Sequence, residues 1–384
     1  MAMRDRLNTA LFTARRSPIR EFSNLAASTP DCIRLTLGEP DFDTPAPVRA
    51  AVGEALEKGQ THYIPNNGVP SLREGVARYV RERQGLSYSA GDVIVTAGAT
   101  EALFVSLFGI LNPGDEVIIP SPAFVLYREL VNLCRGVPVP LETAQRDFQI
   151  RTEELEALIG PRTKAIVLNS PNNPTGCVYD RKSLEAVYRA VKGREIFVVC
   201  DDVYRELCYT EGAHSFAEYA ELREQILAVG GFSKAWAMTG WRLGWLLAEE
   251  SLRERLELVH QYAVTSTPAP FQTAALRALT QDPAPMREEY RKRRDLVLAA
   301  LETMGLETAK PDGAFYVFPS IADFGMDSTR FCTRLLTEAR VAATPGAAFG
   351  ADGNIRLSYC CEEARLREGL FRLARFVESL REAL

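Results

Sequence analysis

The middle of the chain alternates short apolar segments with helix-patterned segments, and this alternation most constrains the fold. Segments 164–169, 195–200 and 225–230 are rich in Val, Ile and Leu at successive positions. Helix-patterned segments, such as 100–111 and 184–192, separate segments of this kind. Strands that are apolar on both faces are typical of parallel sheets covered by helices. The sequence therefore predicts an α/β domain with a largely parallel sheet.

The last third of the chain has a different pattern. A long charged helical segment at 283–304 is followed by strand-like segments at 313–318 and 354–358, and by a helix-like segment from 362 to the end. This pattern predicts a smaller α+β domain. Pro45 and Pro47 interrupt the chain before its first long helix, so we expect the N-terminal segment to complete the smaller domain. The predicted boundaries are 45–280 for the large domain, and 1–44 with 281–384 for the small domain.

Composition argues against several classes of partner. The formal net charge is -5 and no block of like charge stands out, so a nucleic-acid partner is not expected. No apolar run approaches the roughly 20 residues that a membrane span needs, so no membrane partner is expected. The three histidines, His62, His214 and His260, form no metal-ligand pattern. Eight cysteines without a C-x-x-C pair predict free thiols and a cytoplasmic location.

Lys234 is the first candidate catalytic residue. Only seven of the 45 basic residues are lysines, and Lys234 lies among small and apolar neighbours in segment 231–244. Loss of solvent lowers the pKa of a lysine and makes its amine nucleophilic. Arg242 follows eight residues later, and its planar guanidinium suits a phosphate. The alternative is an ordinary surface lysine whose ammonium group stays in water.

Other polar residues lie where strands are predicted to end. Gly98, Ala99 and Thr100 join a strand to a helix, where free N–H groups and the helix dipole favour a phosphate. Asp201 ends an apolar strand, where a buried carboxylate needs a cationic partner. Arg356 has apolar flanks, and a buried arginine needs an anion. A capped helix, an N-cap aspartate and a surface ion pair are the respective structural alternatives.

Segment 233–244 resembles the Schiff-base motif of the class I/II aminotransferases, which are pyridoxal-phosphate-dependent enzymes of fold type I. The resemblance is to the branch that contains bacterial aspartate, aromatic and N-acetyl-diaminopimelate aminotransferases. Each motif alone is weakly specific, but the whole set in this order is highly specific. The further motifs are Leu37-Gly-Glu-Pro-Asp-Phe42, Tyr63, Thr96-Ala-Gly-Ala-Thr100, Asn169-Ser-Pro-Asn-Asn-Pro-Thr-Gly176, Asp201-Asp-Val-Tyr204 and Asn354-Ile-Arg-Leu-Ser358.

The resemblance implies a fold type I transferase with a large domain, built on a mostly parallel sheet, and a smaller α+β domain. It makes Lys234 the catalytic residue that binds pyridoxal 5′-phosphate as a Schiff base. It places Phe124 against the cofactor ring, Asp201 at the ring nitrogen, and Asn173 and Tyr204 at the ring oxygen O3′. It assigns the cofactor phosphate to Gly98, Ala99, Thr100, Ser233 and Arg242, and to Tyr63 from the other subunit of a homodimer with shared active sites.

For the substrate, the resemblance implies that Arg356 and the backbone of Gly38 bind the α-carboxylate. Ile19 is similar to the apolar residue that closes over the substrate, and Asn173 lies nearby. Two departures from the family pattern matter. Gly231 stands where relatives often have a serine or threonine, so the hydroxyl that binds the phosphate is left open. Thr100 stands where some aspartate aminotransferases have a lysine, which argues against a simple preference for aspartate.

The function implied is transfer of an amino group from an L-amino acid to a 2-oxo acid, with 2-oxoglutarate as the expected acceptor. Two alternatives use the same cofactor: a C–S β-lyase on the same fold, and a non-enzymatic regulatory domain that binds pyridoxal phosphate. A nicotinamide oxidoreductase is disfavoured because no G-x-G-x-x-G segment follows a strand. The sequence does not identify the amino donor.

Overall fold

The computed structural model describes residues 3–14, 18–211 and 213–383. The part of the predicted small domain at residues 1, 2, 15–17 and 384 lies outside the described residues. The strands are β1 (Ile33–Arg34), β2 (Val93–Thr96), β3 (Glu116–Ser121), β4 (Val137–Glu142), β5 (Thr163–Asn169), β6 (Phe197–Asp201), β7 (Ile226–Gly231), β8 (Gly244–Leu247), β9 (Tyr316–Val317), β10 (Val341–Ala342), β11 (Thr344–Pro345) and β12 (Ile355–Ser358).

Helices lie before, between and after these strands. They are α1 (Ala10–Thr13), α2 (Pro18–Ala27), α3 (Ala46–Glu57), α4 (Pro70–Gln84), α5 (Ala99–Ile110), α6 (Val125–Leu133), α7 (Thr152–Glu156), α8 (Arg181–Val191), α9 (Glu250–Ala263), α10 (Ala269–Ala278), α11 (Ala284–Thr303), α12 (Ser328–Ala339) and α13 (Glu363–Glu382). Within the described ranges, no helix is both long enough and apolar enough to cross a membrane.

Seven strands form the large sheet, in the order β2-β8-β7-β6-β5-β3-β4. Strand β8 is antiparallel to both of its neighbours, and the other pairs are parallel. Both faces of the sheet are buried: Val198 belongs to the apolar cluster on one face, and Val199 to the cluster on the other. The predicted α/β fold with a largely parallel sheet is confirmed.

The parallel register places the carboxyl ends of three strands side by side. Asn169 at the end of β5 pairs with Asp201 at the end of β6, and Asp201 pairs with Val229 of β7. Polar residues that end neighbouring parallel strands therefore meet at one edge of the sheet. Ligands bind at this edge in open α/β sheets.

The N-terminal and C-terminal parts of the chain build two smaller sheets. Strand β1 pairs in parallel with β10, and β12 lies antiparallel between β11 and β9. Leu35 near the N terminus shares an apolar core with Phe331, Leu357 and Leu373 from the C-terminal part. The boundaries at 45 and 280 remain a prediction, because a shared core does not fix where one domain ends.

Strands β4 and β9 differ from the sequence prediction. Strand β4 was not predicted, because Pro138 and Pro140 argue against a strand; it lies at the edge of the sheet, where proline is tolerated. The strand expected at 313–318 is limited to residues 316 and 317. Ala314 has a φ of 56°, and this left-handed backbone is incompatible with an extended strand.

Gly230 in β7 gives a test of how tightly this sheet is packed. A Cβ atom added there would lie 2.5 Å from Cζ2 of Trp245, whose indole is held by Phe232 at a ring-centroid distance of 5.1 Å. We predict that Gly230→Ala lowers the free energy of unfolding by about 1–3 kcal/mol, which is typical of overpacking. Thermal unfolding followed by circular dichroism measures this change.

Gly53→Ala is the matched control, because Gly53 is exposed within α3 and nothing lies within 4 Å of the added Cβ. Alanine in a helix interior should raise the free energy of unfolding by about 0.5–1 kcal/mol relative to glycine. Equal thermal midpoints for the two variants would contradict this account of the packing.

Candidate active site

Lys234 lies in the loop after β7, at the edge of the sheet where the parallel strands end. Its Nζ donates a hydrogen bond to the carbonyl oxygen of Gly38 at 2.7 Å. The same atom lies 5.7 Å from the ring centroid of Tyr204 and 5.9 Å from that of Phe315. Burial lowers the pKa of Lys234 to about 8. The side chain is therefore neutral, and nucleophilic, at a lower pH than an ordinary lysine.

Asp201 ends β6 and is buried beside the lysine. Its Oδ2 accepts a hydrogen bond from the Tyr127 hydroxyl at 2.7 Å, and its Oδ1 accepts one from the backbone N–H of Val203 at 3.3 Å. Burial raises the pKa of Asp201 to about 6, although the hydrogen bond from Tyr127 opposes the rise. Among the described residues, no arginine, lysine or histidine forms an ion pair with this carboxylate. Within that part of the chain, the charge of Asp201 is thus not compensated by a cation.

Asp202 has a different environment from its neighbour. It accepts a hydrogen bond from the Ser215 hydroxyl at 2.6 Å, and its Oδ2 lies 3.6 Å from Nη1 of Arg205. The protein itself therefore compensates the charge of Asp202. This contrast supports Asp201, rather than Asp202, as the acid that meets a ligand.

Arg356 in β12 is the third ionisable group of the site, and it is buried. Its guanidinium carbon lies 4.5 Å from the ring centroid of Tyr316 and 4.9 Å from that of Phe349. Nη1 donates to Oδ1 of Asn173 at 2.8 Å, and Nη2 donates to the carbonyl oxygen of Thr36 at 2.5 Å. These two acceptors are neutral, and Nε is buried without a hydrogen-bond partner within the described structure. A buried guanidinium in this state is suited to bind an anion.

In the turn from β2 into α5, the Arg242 guanidinium lies close to the backbone. Gly98 has a φ of 79°, and a Cβ added there would lie 2.6 Å from Nη2 of Arg242. A Cβ added at Gly244 would lie 2.8 Å from the backbone nitrogen of Ala99. Glycine at both positions therefore lets the guanidinium lie against the first turn of α5. The first N–H groups of a helix lack intrahelical partners, so this turn suits a phosphate.

Three further predicted side chains are Tyr204, Asn173 and Phe124. The hydroxyl of Tyr204 lies 2.8 Å from the hydroxyl of Tyr316. Because Oδ1 of Asn173 accepts from Arg356, its NH₂ group remains available to donate elsewhere. Phe124 lies edge-on to Tyr127, with ring centroids 6.0 Å apart.

The remaining predicted residues lie in three kinds of environment. Thr100 is exposed, Ser233 is half-buried, and Ile19 in α2 packs against an apolar cluster that includes Phe349. A Cβ added at Gly38 would overlap the Tyr316 hydroxyl, so the space beside this glycine is already filled. Tyr63 is 92% exposed and lies outside the buried part of the site.

Sequence reasoning missed three residues that contact the predicted site. Tyr127 donates to Asp201, Tyr316 lies between Tyr204 and Arg356, and the Cys360 thiol donates to the carbonyl oxygen of Leu37 at 3.1 Å. Tyr316 belongs to the segment 313–318, which was predicted as a strand, and Tyr127 follows Phe124 by three residues. Nothing in the spacing of those segments signalled a contact with residues far away in the chain.

Similarity to known proteins extends over nearly the whole chain. Residues 30–373 match the family model described as aminotransferase class I and II. The chain is 42% identical over 374 residues to a probable N-acetyl-LL-diaminopimelate aminotransferase of Bacillus subtilis, with 96% of this chain and 95% of the relative covered. It is 44% identical over 352 residues to the aspartate/prephenate aminotransferase of Thermus thermophilus, with 90% of this chain and 91% of the relative covered.

A solved structure agrees with these sequence comparisons. The aspartate aminotransferase from Thermus thermophilus with maleate matches at a TM-score of 0.91 and 40% sequence identity. The match covers 96% of this chain and 99% of that one. The likeness therefore extends over the fold of nearly the whole chain.

Proposed function

Because this chain belongs to aminotransferase class I and II, we propose that it transfers the amino group of an L-amino acid to 2-oxoglutarate at the site around Lys234. Aminotransferase activity and the use of pyridoxal 5′-phosphate follow from the family. The roles of individual residues and the identity of the substrates are the proposed part. The observation that carries it is the convergence of three ionisable groups, Lys234, Asp201 and Arg356, none of which forms an ion pair within the described residues.

The residues of the site fit pyridoxal 5′-phosphate group by group. The cofactor has an aldehyde for the Lys234 amine, a phosphate for Arg242 and the first turn of α5, and a ring nitrogen for Asp201. Gly98 leaves the space in which the Arg242 guanidinium approaches that turn. When bound, the cofactor supplies an electron sink for the electrons released by loss of the substrate α-proton.

Asp201 would keep the ring nitrogen protonated. The pKa of this acid is raised because it is buried away from water, so a cation beside it would stabilise its ionised form. The Tyr127 hydroxyl would fix the orientation of the carboxylate through the bond to Oδ2. Asn173 and Tyr204 would donate hydrogen bonds to the ring oxygen O3′.

Lys234 would hold the cofactor covalently and, once released by the substrate, move a proton. A pKa of about 8 leaves a larger share of this amine neutral near pH 7 than for an ordinary lysine. A neutral amine can take the proton from the substrate α-carbon and return it to the neighbouring cofactor carbon.

Arg356 would bind the α-carboxylate that amino acids and 2-oxo acids share. Its guanidinium is 2% exposed, and Nε has no partner within the described structure. A carboxylate would supply the missing negative charge and accept charge-assisted hydrogen bonds. Donor identity is therefore set elsewhere, because the carboxylate contact is common to all donors.

The side chain of the donor is the less constrained part of the proposal. Thr100 offers no positive charge where a second carboxylate would need one, so we expect only a weak preference for aspartate. The relatives described above include enzymes named for aspartate, prephenate and N-acetyl-LL-diaminopimelate. These names define the donors and acceptors worth testing.

The direct test measures kcat/KM with 2-oxoglutarate for acidic, aromatic, aliphatic and N-acylated diamino-acid donors, with wild type and Arg356→Lys in parallel. Lysine keeps the charge but loses the planar fork, so kcat/KM should fall about tenfold or more for every donor alike. Aspartate exceeding all other wild-type donors by orders of magnitude would contradict the side-chain argument. A variant that loses only one class of donor would contradict the carboxylate assignment.

Arg294→Lys is the matched control for this experiment. Arg294 is also buried, lies 4.9 Å from the ring centroid of Tyr209, and forms an ion pair with Asp295. Its substitution should leave the ranking of donors unchanged. Release of pyruvate and ammonia without any added 2-oxo acid acceptor would instead indicate a β-lyase.

A homodimer with shared active sites is proposed for the assembly. The support is Tyr63, an aromatic side chain that is 92% exposed in the single chain although the family resemblance assigns it to a cofactor phosphate. Tyr262, on α9, is also largely exposed. Exposed aromatic side chains of this kind are typical of interfaces between subunits.

Differently tagged subunits test this sharing. A heterodimer of Tyr63→Ala and Lys234→Ala subunits should regain about half of the activity of wild type, because one site receives Lys234 from one subunit and Tyr63 from the other. The reciprocal control joins a wild-type subunit to a Tyr63→Ala/Lys234→Ala subunit and should stay as inactive as the single variants. Activity in the reciprocal heterodimer, and none in the first, would mean that each site is built from one chain.

The cysteines bear on the proposed cytoplasmic location. All eight are free thiols, and six of them are buried. Free thiols are typical of proteins in reducing compartments. We therefore retain the cytoplasm as the proposed compartment.

A further inference from the structure

We propose that Tyr316 is a positioning residue with two separable parts: its hydroxyl sets the donor strength of Tyr204, and its ring holds Arg356. This inference rests on the proposed function of the site. It concerns a residue that no motif of the sequence analysis singled out.

The first observation is the position of Tyr316 between the two groups. Tyr316 in β9 is 1% exposed, and its hydroxyl lies 2.8 Å from that of Tyr204. The guanidinium carbon of Arg356 lies 4.5 Å from the centroid of the same ring. One side chain therefore contacts both the group proposed for the cofactor and the group proposed for the substrate.

The second observation is that the Tyr316 hydroxyl occupies the space that a side chain at Gly38 would fill. A Cβ added at Gly38 would overlap this hydroxyl and lie 3.0 Å from Cζ of the ring. The carbonyl oxygen of Gly38 accepts the hydrogen bond from Lys234 at 2.7 Å. The tyrosine hydroxyl, the glycine and the lysine are thus packed together, and any larger residue at position 38 would displace the hydroxyl.

Counting protons fixes the direction of the bond between the two tyrosines. A phenol has a single proton to donate. If Tyr204 donates its proton to the ring oxygen of the cofactor, its own oxygen must accept from Tyr316. Hydrogen bonds in such a chain strengthen one another, so donation by Tyr316 makes Tyr204 a better donor.

The charge of Arg356 acts in the same direction. Burial raises the pKa of Tyr316 to about 12, but the Arg356 guanidinium opposes the rise. A cation beside the ring stabilises negative charge on the phenol oxygen, which makes the hydroxyl a stronger hydrogen-bond donor. The same contact holds the guanidinium over the ring, so the ring orients Arg356 toward a carboxylate.

The two parts of the role can be separated by two variants. Tyr316→Phe removes only the hydroxyl, whereas Tyr316→Leu removes the hydroxyl and the ring. Weaker donation to the ring oxygen leaves more negative charge there, so the nitrogen of Lys234 bound to the cofactor should hold its proton more tightly. The pH midpoint of the visible absorbance of the bound cofactor reports this change.

We expect Tyr316→Phe to raise this midpoint by about half to one pH unit, the size of one hydrogen bond to a titrating group. The affinity for succinate, a simple dicarboxylate probe, should change by less than about twofold, because the ring that holds Arg356 remains. Tyr316→Leu should raise the midpoint similarly and weaken succinate binding about tenfold. An unchanged midpoint in Tyr316→Phe would overturn the role of the hydroxyl, and unchanged succinate binding in Tyr316→Leu would overturn that of the ring.

Tyr359→Phe is the matched control. Tyr359 is fully buried, and its hydroxyl lies 3.2 Å from that of Tyr209, so it pairs with a tyrosine outside the proposed site. The pH midpoint of the cofactor absorbance in Tyr359→Phe should equal that of wild type. A shift as large as that of Tyr316→Phe would mean that any buried hydroxyl has this effect and would overturn the proposal.

A double-mutant cycle removes the remaining ambiguity. Once Tyr204→Phe has removed the intermediate hydroxyl, adding Tyr316→Phe should shift the midpoint no further. Additive shifts would show that Tyr316 acts independently of Tyr204. If wild-type protein keeps no visible absorbance after pyridoxal 5′-phosphate is added and the unbound cofactor is removed, the proposed function is refuted instead, which keeps the two failures distinguishable.

Discussion

The site depends on one constraint: its ionisable groups lose contact with water and have no oppositely charged partner within the described residues. Lys234, Asp201 and Arg356 are held among neutral hydrogen-bond partners at one edge of the sheet. Burial lowers the pKa of the lysine and the arginine and raises the pKa of the aspartate. Each group is therefore destabilised in its charged form until a ligand brings the complementary charge. A cofactor with a phosphate and a ring nitrogen, and a substrate with a carboxylate, supply those charges.

The fold gathers these groups through the register of parallel strands. Asp201 ends β6, Lys234 follows β7, and Asn169 at the end of β5 donates to the carbonyl oxygen of Asp201 at 3.0 Å. Arg356 comes from β12 in one of the smaller sheets, and its bond to Asn173 links that sheet to the large one. The site thus lies where the central and terminal parts of the chain meet.

Sequence patterns predicted the parts of this structure that depend on local chemistry. Apolar segments predicted the buried sheet, and residue type with strand position indicated Lys234, Asp201 and Arg356 as candidates; their roles came from the family resemblance. Strand β4 was missed because its two prolines obscure an edge strand, and Ala314 shortens β9 through a backbone conformation that composition does not reveal. Tyr127 and Tyr316 could not be predicted, because each contacts a residue more than 70 positions away. Such contacts depend on how the elements pack, which spacing alone does not encode.

The central claim is that Lys234 binds the cofactor covalently, and reductive fixation tests it most directly. Protein loaded with pyridoxal 5′-phosphate is reduced with borohydride and digested, and the peptide carrying the added group is identified by mass spectrometry. Of the seven lysines in the chain, only Lys234 should carry the group, and Lys234→Ala protein treated in the same way should carry none. Stoichiometric modification of any other lysine, with Lys234 unmodified, would contradict the account.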